Sequence, residues 1–539
     1  MDCRGLACFG LGVSLVLALG LGLAAVDASA AAAQSVPRVG KHKVLELVFT
    51  AAGTPANPFD DCLLKLEVTD PAGRIFTVDG FYDGDGKGGQ TGRTWKVRLC
   101  PYRTGDWAWR TVAGDAPDSG LAGLSGQFDC VDSGDLGGLV AQGRYFRLQD
   151  GDFFFPVGNF LDAAGGLPLW SYLGETVSDA QRDAIIGRHR DFHTANKYMF
   201  YMSNHSDASD AYSEVVTPWV GTAASSDKTK MDLSRWKLYD GYLRRLKDNG
   251  LSAYMSLFED GKPGNYGRLP MADRKRLIRY VMARTSALSH LWYVLCFEWQ
   301  EAWKKTEVND AGRFIQAHNP WKRLLSVHDW QGRPWAFAGE TWPTYIASQD
   351  GNDANPDAVN SYVISLRAHG LPVLADEFGI NRTDSDARIR GKMWAAFCAG
   401  AAGTGTGTDL KAFQRLLAQK RIPFQRMEPS NGLVQGGGSS RFCLAESGQH
   451  YLVYSTTGSF TLSVTGAGLT GRWFSPRDPH SSFGTPFCVS SGTSTFTPPD
   501  ITRDWALWVS DDSNLNSHVT HISTEATVLQ VVAGGAGPR

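Results

Sequence analysis

The sequence lacks a large excess of either acidic or basic residues. Its 539 residues include 53 basic and 55 acidic side chains, which gives a formal net charge of -2. A protein that binds nucleic acid or an anionic membrane through its charge needs a surplus of Lys and Arg, and this chain lacks one. We therefore expect no nucleic-acid partner.

Long apolar runs are also scarce, and the one that is present lies at the start. Residues 1–33 contain Arg4, an apolar run from Gly10 to Val26 and small residues through Ala33. This layout is typical of a signal peptide cleaved at Ala28-Ser29-Ala30 or just beyond, with an uncleaved anchor as the alternative. No later stretch reaches the ~20 apolar residues that span a bilayer. The sequence predicts a secreted or periplasmic protein without membrane contact after signal removal.

Cysteines are few and irregularly spaced. Seven follow the predicted signal peptide, and neither a disulfide framework nor a zinc site has this pattern. Cys443 and Cys488, or two of Cys62, Cys100 and Cys130, could form a disulfide in an oxidising compartment, and buried free thiols are the alternative. No His-x-His pair follows a predicted strand, which disfavours a metal-dependent hydrolase. We expect no metal and no other cofactor.

The pattern of predicted elements divides the chain into three parts. Residues 34–131 alternate short strands with turns, which predicts an N-terminal β-sandwich of Ig-like type. Within it, the alternation in Trp95–Leu99 predicts one buried and one outward face. A glycine-rich linker spans 132–143. Residues 422–511 predict a second β-sandwich, and residues 512–539 predict a poorly ordered tail.

The middle part, residues 144–421, alternates apolar strands with helical stretches. This is typical of βα units on a parallel sheet, and eight units in about 280 residues is the size of a (β/α)8 TIM barrel. The predicted strands are Phe153–Val157, Tyr198–Met202, Ser252–Phe258, Trp292–Phe297, Arg323–Val327, Tyr345–Ser348, Pro372–Ala375 and Ala395–Ala399. The predicted fold class is thus multidomain α/β plus all-β, with a central TIM barrel flanked by two small β-sandwiches.

Two carboxylates stand where predicted barrel strands end. The stretch Leu371 to Gly379 is a short buried strand that leads into Glu377. Another strand leads into Glu298, and Glu301 follows closely. Enzymes with this barrel keep their chemistry at the carboxyl ends of the strands, and two carboxyl groups are what glycoside hydrolysis requires.

Further polar and aromatic residues follow the predicted strands and could bind a sugar. They are Asn159, Asp162, Asn204, His205, Glu259, His328, Trp330, Trp342 and Gln349. His328 is expected to point to the barrel mouth as a substrate or nucleophile contact, with a structural role as the alternative. Trp330 and Trp342 have flat faces that suit the C–H face of a sugar ring, although packing in the core would explain them equally.

Short motifs in a shared order give the chain a family resemblance. They are Phe81-Tyr82-Asp83-Gly84-Asp85-Gly86, Trp95-Lys96-Val97-Arg98 and Thr104-Gly105-Asp106-Trp107; then Phe154-Phe155-Pro156-Val157-Gly158-Asn159 and Met393-Trp394-Ala395-Ala396; and finally Trp473-Phe474-Ser475-Pro476-Arg477 and Asp504-Trp505-Ala506-Leu507. The chain resembles the apiosidase-like glycoside hydrolases of clan A, which carry an N-terminal sandwich of uncharacterised function and a C-terminal β domain of a type named for collagen binding.

The resemblance implies a two-glutamate retaining mechanism on a polysaccharide or oligosaccharide, with Glu377 as the nucleophile. Clan members place an Asn directly before the acid/base Glu, where it binds the sugar 2-hydroxyl, but here Phe297 precedes Glu298. Gln300 keeps an amide before Glu301, so Glu301 is favoured as the acid/base and Glu298 is the alternative. Because Phe297 breaks the pattern, a non-catalytic carbohydrate- or matrix-binding protein remains the rival interpretation.

Overall fold

The computed structural model describes residues 36–533 with gaps. The gaps are residues 61–63, 113–117, 159–172, 175, 193, 203–216, 223–224, 259–268, 330–333, 351–354, 379–384, 406–410, 421, 439, 514, 516–517, 520–521 and 526–527. The predicted signal peptide lies outside the described residues. Among those described, no helix combines the length and apolar character needed to cross a membrane.

The N-terminal region is built from two facing sheets. Its strands are β1 (Arg38–Gly40), β2 (Val44–Thr50), β3 (Lys65–Thr69), β4 (Ile75–Asp79), β5 (Phe81–Tyr82), β6 (Thr94–Leu99), β7 (Gly105–Val112) and β8 (Ser125–Val131). One sheet has the order β1-β8-β7-β3-β4, and β2, β6 and β5 lie in the other. Phe49 of β2 meets Trp109 of β7 edge to face, with 5.7 Å between ring centroids. Aromatic side chains thus fill the space between the sheets.

The central region alternates strands and helices. They are β9 (Leu139–Gln142), β10 (Tyr145–Leu148), β11 (Phe153–Phe154), β12 (Val157–Gly158), α1 (Asp179–Gly187), β13 (Lys197–Tyr201), β14 (Trp219–Thr222), β15 (Ser225–Met231), α2 (Leu233–Asp248), β16 (Ser252–Phe258), α3 (Met271–Thr285), β17 (Leu291–Cys296), α4 (Lys305–Ala317), β18 (Leu325–Ser326), β19 (His328–Asp329), β20 (Ile346–Asp350), α5 (Pro356–Arg367), β21 (Val373–Phe378), α6 (Asp386–Cys398), β22 (Gly403–Gly405) and α7 (Lys411–Lys420). Apolar residues at spacings of three and four predict helices over 233–249, 272–287 and 357–369, and these correspond to α2, α3 and α5.

Nine central strands form two all-parallel sheets, whereas β9, β10 and β11 pair antiparallel with one another and β14 pairs antiparallel with β15. Their orders are β13-β16-β17-β18 and β12-β22-β21-β20-β19. Only Val327 separates β18 of the first sheet from β19 of the second. Val157 of β12 donates its N–H to Asn196 Oδ1 at 2.7 Å, next to the start of β13. Because every pair is parallel, the residues that follow the strands of one sheet emerge at the same edge.

The eighth strand was misplaced by the sequence analysis. Ala395–Ala399 lies almost wholly in α6, which runs from Asp386 to Cys398, and the strand is instead Gly403–Gly405. Residues Met393 to Ala399 are all buried, so this part of the helix has no polar face that would reveal a helical period. The helix ends before Gly400, whose φ of 76° suits a residue without Cβ.

The prediction of an outward face on β6 is wrong. Lys96 and Arg98 are both more than 90% buried, because the charged face of β6 packs against helices of the central region. Lys96 and Arg98 both pair with Glu46, at 3.1 and 2.8 Å, and Arg98 also pairs with Asp240 of α2 at 2.8 Å. Arg284 of α3 completes the set. We call Glu46, Asp83, Lys96, Arg98, Asp240 and Arg284 the charge cluster; it holds three acidic and three basic groups, so its formal charges balance.

Arg284→Met is expected to destabilise the fold strongly. Arg284 is 2% exposed and contacts Asp83 at 2.7 Å and Asp240 at 2.8 Å, so its loss leaves buried carboxylates without a counter-charge. Removing one partner of a buried ion pair costs about 3–5 kcal/mol, and urea unfolding would measure it. The control is Arg313→Met, which removes an exposed guanidinium paired with Glu340 and should cost about 1 kcal/mol or less. Equal losses in the two variants would contradict the importance of the charge cluster.

The C-terminal region is again made of sheets. Its strands are β23 (Glu428–Pro429), β24 (Val434–Gly436), β25 (Arg441–Glu446), β26 (His450–Ser455), β27 (Phe460–Val464), β28 (Leu469–Phe474), β29 (Phe487–Val489), β30 (Gly492–Phe496), β31 (Trp505–Ser510), β32 (His518–Val519) and β33 (Val528–Val532). Sheet β23-β25-β26-β31-β28-β29 packs on sheet β24-β27-β30 through Val453, Leu462 and Leu507. On its other side, Tyr454 of β26 stacks on Trp394 of α6 at 5.1 Å. Cys443 and Cys488 are free thiols, as are the other described cysteines.

The end of the chain differs from the predicted disordered tail. Val528–Val532 forms β33, which pairs in parallel with Val44–Val48 of β2 and extends that N-terminal sheet. Gln530 donates from Nε2 to Glu46 Oε1 at 2.9 Å, so the strand also contacts the charge cluster. Only an isolated apolar patch marked this strand in the sequence, since its partner lies more than 480 positions earlier.

Candidate functional site

Glu377 lies near the carboxyl end of β21. Successive side chains of a strand point to opposite sides, and here they meet different environments. Asp376 is 1% exposed and forms a buried ion pair with Lys197 of β13. Glu377 is partly exposed, and its Oε2 lies 3.8 Å from His328 Nε2. The strand thus buries one carboxylate in the core and presents the next one at its edge.

His328 of β19 is fully buried beside Glu377. Its ring packs on Phe297 with 4.6 Å between centroids. Burial lowers the pKa of His328 to about 4; the charge of Asp376 opposes this shift and that of Lys197 adds to it. Neither ring nitrogen has a hydrogen-bond partner among the described residues. His328 is therefore a neutral neighbour of Glu377 at neutral pH.

The low pKa of His328 predicts a pH-dependent loss of stability. The unfolded chain binds a proton to this ring below pH 6.5 and the folded chain only near pH 4, so stability falls as the pH falls through this window. The loss from this one group amounts to about 3 kcal/mol. Urea unfolding should therefore show that the free energy of unfolding falls less between pH 7 and pH 4 in His328→Gln than in the wild type, and the difference should equal this amount. Parallel declines in the two proteins would contradict a neutral, buried His328.

Glu298 has an unusual backbone conformation after β17. Its φ of 35° and ψ of 55° lie in the left-handed region, which a residue with Cβ rarely adopts, and it precedes a 3-10 turn over Trp299–Glu301. Asp329 of β19 holds this turn by accepting from Trp299 Nε1 at 3.0 Å and from Gln300 Nε2. Backbone strain of this kind often occurs at functional sites, where neighbouring contacts maintain it.

The carboxyl group of Glu298 contacts β20. Gln349 donates from Nε2 to Glu298 Oε1 at 2.7 Å. Gln349 is also the residue that pairs with Glu377 between β20 and β21. Phe297, directly before Glu298, packs on His328, and His328 adjoins Glu377. Glu298 and Glu377 therefore share one neighbour, Gln349, and His328 contacts both Glu377 and Phe297, the residue before Glu298.

Glu301 is placed differently. It is exposed on the 3-10 turn, and its N–H donates to the Glu298 carbonyl at 2.9 Å. The two tryptophans that flank it in the sequence contact other groups. Trp299 donates to Asp329, and Trp303 is buried against Phe258 and the Arg274 guanidinium. The local environment thus favours Glu298 over Glu301, the reverse of the preference drawn from the sequence.

The other predicted sugar-binding residues divide into two groups. Trp342 is 1% exposed and donates from Nε1 to Asn309 Oδ1 of α4 at 2.9 Å, so it is a core residue and not a stacking platform. Gln349 is buried against Glu298. The remaining predicted residues lie outside the described residues: Asn159, Asp162, Asn204, His205, Glu259 and Trp330.

Lys197 is a buried charged residue that was not predicted from the sequence. It starts a strand that is otherwise apolar, Lys197–Tyr201, and all five residues are buried. A lysine within a fully buried strand needs a counter-charge, which Asp376 provides. The described part of the chain contains no cluster of three or more His, Cys, Asp or Glu side chains arranged to hold a metal.

Comparisons with known proteins agree with this architecture. DUF5060, a domain of unknown function, matches residues 38–114. The structure of a candidate glycoside hydrolase from Bacteroides vulgatus ATCC 8482 aligns over 88% of this chain and 99% of its own, with a TM-score of 0.69 at 16% identity. The chain has the fold of glycoside hydrolases.

Two further structures carry the same description. A glycoside hydrolase family 5 protein from Bacteroides vulgatus ATCC 8482 covers 72% of this chain and 97% of its own, with a TM-score of 0.55 at 16% identity. Another glycoside hydrolase covers 70% and 98%, with a TM-score of 0.56 at 17% identity. No curated protein sequence matches the chain. At these identities the likeness concerns the fold alone.

Proposed function

We propose that the protein is a secreted, retaining glycoside hydrolase with Glu377 as nucleophile and Glu298 as acid/base. One observation carries this proposal: two glutamates from different strand ends share a neighbour, because Gln349 donates to the Glu298 carboxyl group and pairs with Glu377 between β20 and β21. A carbohydrate substrate follows from the fold shared with glycoside hydrolases. The apiosidase-like resemblance favours a polysaccharide or oligosaccharide.

We further propose that the two parallel sheets close into one (β/α)8 barrel. The support is twofold: Val327 alone separates the fifth-strand segments of the two sheets, and Val157 and Asn196 bridge β12 and β13 by two hydrogen bonds of 2.7 and 2.9 Å. In such a barrel all strands end at one mouth, where catalytic residues are found. The N- and C-terminal regions would then be the two flanking β-sandwiches, with Val528–Val532 added to the first.

The first chemical step uses both glutamates. The Glu377 carboxylate attacks the anomeric carbon as the glycosidic C–O bond breaks, and protonated Glu298 gives its proton to the departing oxygen. A cationic His328 beside Glu377 would weaken its nucleophilicity by pairing with it. The buried, neutral ring avoids this, because its pKa near 4 keeps it uncharged at neutral pH.

In the second step Glu298 acts as a base instead of an acid. Its carboxylate takes a proton from water, the resulting hydroxide equivalent attacks the anomeric carbon, and the bond to Glu377 breaks. The sugar is released with its original anomeric configuration. The left-handed backbone at Glu298 and the hydrogen bonds from the following turn to Asp329 would keep this carboxyl group in one place through both steps.

A second candidate function is carbohydrate binding without catalysis. The observation that favours it is Phe297, which packs between Tyr201 and His328 where an Asn would bind the sugar 2-hydroxyl in the clan. A panel of aryl glycosides and plant polysaccharides separates the two candidates. The enzyme proposal expects turnover of at least one substrate that is lost in Glu377→Ala. Sugar binding without any turnover in the wild type would support the binder.

A further inference from the structure

Gln349 stands out because its amide is buried against a single functional group. It is 5% exposed, and its Nε2 lies 2.7 Å from Glu298 Oε1. Its own Oε1 is also buried and has no hydrogen-bond partner among the described residues. The amide is thus fixed by Glu298 at one end, with no described hydrogen bond that holds the other end in a preferred orientation.

An irregularity in strand pairing aims Gln349 at the site. Ile346, Ala347 and Ser348 pair with consecutive residues of β21, but Gln349 skips Asp376 and pairs with Glu377. A bulge of this kind re-aims a side chain and is uncommon between parallel strands. Without the shift, Gln349 would lie opposite Asp376, the residue whose side chain is committed to Lys197 in the core.

An amide is a neutral side-chain group that can serve both forms of a carboxyl group. Its NH₂ donates to a carboxylate, and its carbonyl oxygen accepts from the O–H of a carboxylic acid. The terminal torsion of Gln is broad and roughly two-fold, so a half-turn exchanges the two ends in nearly the same space. Which end faces Glu298 at a given moment therefore depends on whether Glu298 carries a proton.

We propose that Gln349 is a positioning residue that holds Glu298 in both of its protonation states by turning its amide. This inference rests on the proposed function, in which Glu298 is an acid in the first step and a base in the second. In the free enzyme with Glu298 protonated, Gln349 Oε1 accepts the O–H; when the sugar binds, the O–H turns from Gln349 to the leaving oxygen, and the proton moves there as the glycosidic C–O bond breaks. After transfer, Nε2 donates to the carboxylate, as in the present structure.

Two variants separate this role from simple packing. Gln349→Lys keeps a donor for the carboxylate but has no acceptor for the acid, and Gln349→Met keeps the volume without either. The control is Gln414→Met, which replaces a glutamine of α7 whose amide donates to the Thr194 carbonyl at 3.2 Å, away from both glutamates. All are assayed on aryl glycosides of one accepted sugar with leaving groups from 2,4-dinitrophenol to phenol, across a range of pH.

The expected result depends on the leaving group. A good leaving group departs without protonation, so on the dinitrophenyl glycoside kcat/KM should fall much less in both Gln349 variants than on the phenyl glycoside, and in Gln414→Met it should match the wild type within about twofold. On the phenyl glycoside, kcat/KM should fall by about tenfold or more in both Gln349 variants and remain unchanged in the control. The basic limb of the pH profile should move to lower pH in Gln349→Lys and to higher pH in Gln349→Met, because a cation and an apolar group shift the pKa of Glu298 in opposite directions.

Several results would overturn the inference. If Gln349→Lys hydrolyses the phenyl glycoside as well as the wild type does, an acceptor is not needed. If both variants lose activity equally on every leaving group with unmoved pH limbs, or do not fold, Gln349 has only a structural role. If Glu298→Ala shows no leaving-group dependence, or the wild type turns over nothing, the proposed function itself fails and this inference with it.

Discussion

Glu377→Ala is expected to reduce kcat by a factor on the order of 10⁶, the scale of a lost nucleophile in a hydrolase. Without the Glu377 carboxylate no covalent intermediate forms, and His328 beside it is neutral and cannot take over the role. The variant should fold normally, because Glu377 is partly exposed and Asp376, not Glu377, pairs with Lys197 in the core. The measurement is hydrolysis of the best substrate in the panel, with thermal unfolding as the check on folding.

Azide gives this variant a distinctive signature. A small anion can enter the space left by the side chain and attack the anomeric carbon directly, so azide should restore activity and give a glycosyl azide of inverted configuration. Glu301→Ala is the matched control, since Glu301 is an exposed glutamate near the site and should tolerate the change. Full activity in Glu377→Ala without azide would remove Glu377 from the mechanism.

Glu298→Ala should lower kcat/KM by about 10²- to 10⁴-fold on substrates with poor leaving groups, whereas Glu301→Ala should change it by less than about threefold. Glu298 contacts Gln349, which also pairs with Glu377 between β20 and β21, but Glu301 is exposed on the following turn. Activated dinitrophenyl glycosides need no proton in the first step, so Glu298→Ala should still form the covalent intermediate from them. The rates are measured side by side across leaving groups.

The opposite pattern would restore the preference drawn from the sequence. If Glu301→Ala shows the leaving-group dependence and Glu298→Ala does not, then Gln300-Glu301 provides the acid/base, and the turn held by Asp329 must rearrange when substrate binds. The local geometry argues against this, because Gln300 donates to Asp329 and is not placed as an amide for the sugar.

Local patterns predicted much of the fold. The strands around Glu298 and Glu377 were found from short apolar runs that end in a carboxylate, and α2 from its apolar face of Trp236, Tyr239 and Leu243. The prediction failed for the eighth strand, because α6 is buried on all sides near its end and has no helical period in its hydrophobicity. A short apolar run is therefore compatible with a buried strand and with the buried end of a helix, and the sequence alone does not distinguish the two.

Long-range partners were beyond the sequence. Lys96 and Arg98 follow the pattern of an exposed strand face, yet both are buried, and Arg98 contacts Asp240 and the Arg284 carbonyl from helices more than 140 residues away. The same limit applies at the site. Gln349 contacts Glu298, and Trp342 is a core residue hydrogen-bonded to Asn309. Both contacts depend on which strands and helices become neighbours in the fold. The positions of Glu298 and Glu377 near strand ends were predictable, but not the contact that each side chain makes there.

The most direct test of the two-glutamate proposal is to trap the covalent intermediate. Wild type, Glu377→Gln and Glu301→Ala are incubated with dinitrophenyl 2-deoxy-2-fluoroglycosides of each sugar that the wild type hydrolyses, and the proteins are analysed by intact mass and peptide mapping. We expect one fluorosugar on Glu377 in the wild type and in Glu301→Ala, and none in Glu377→Gln. A label on another residue, or hydrolysis with inverted configuration and no label, would contradict the proposal.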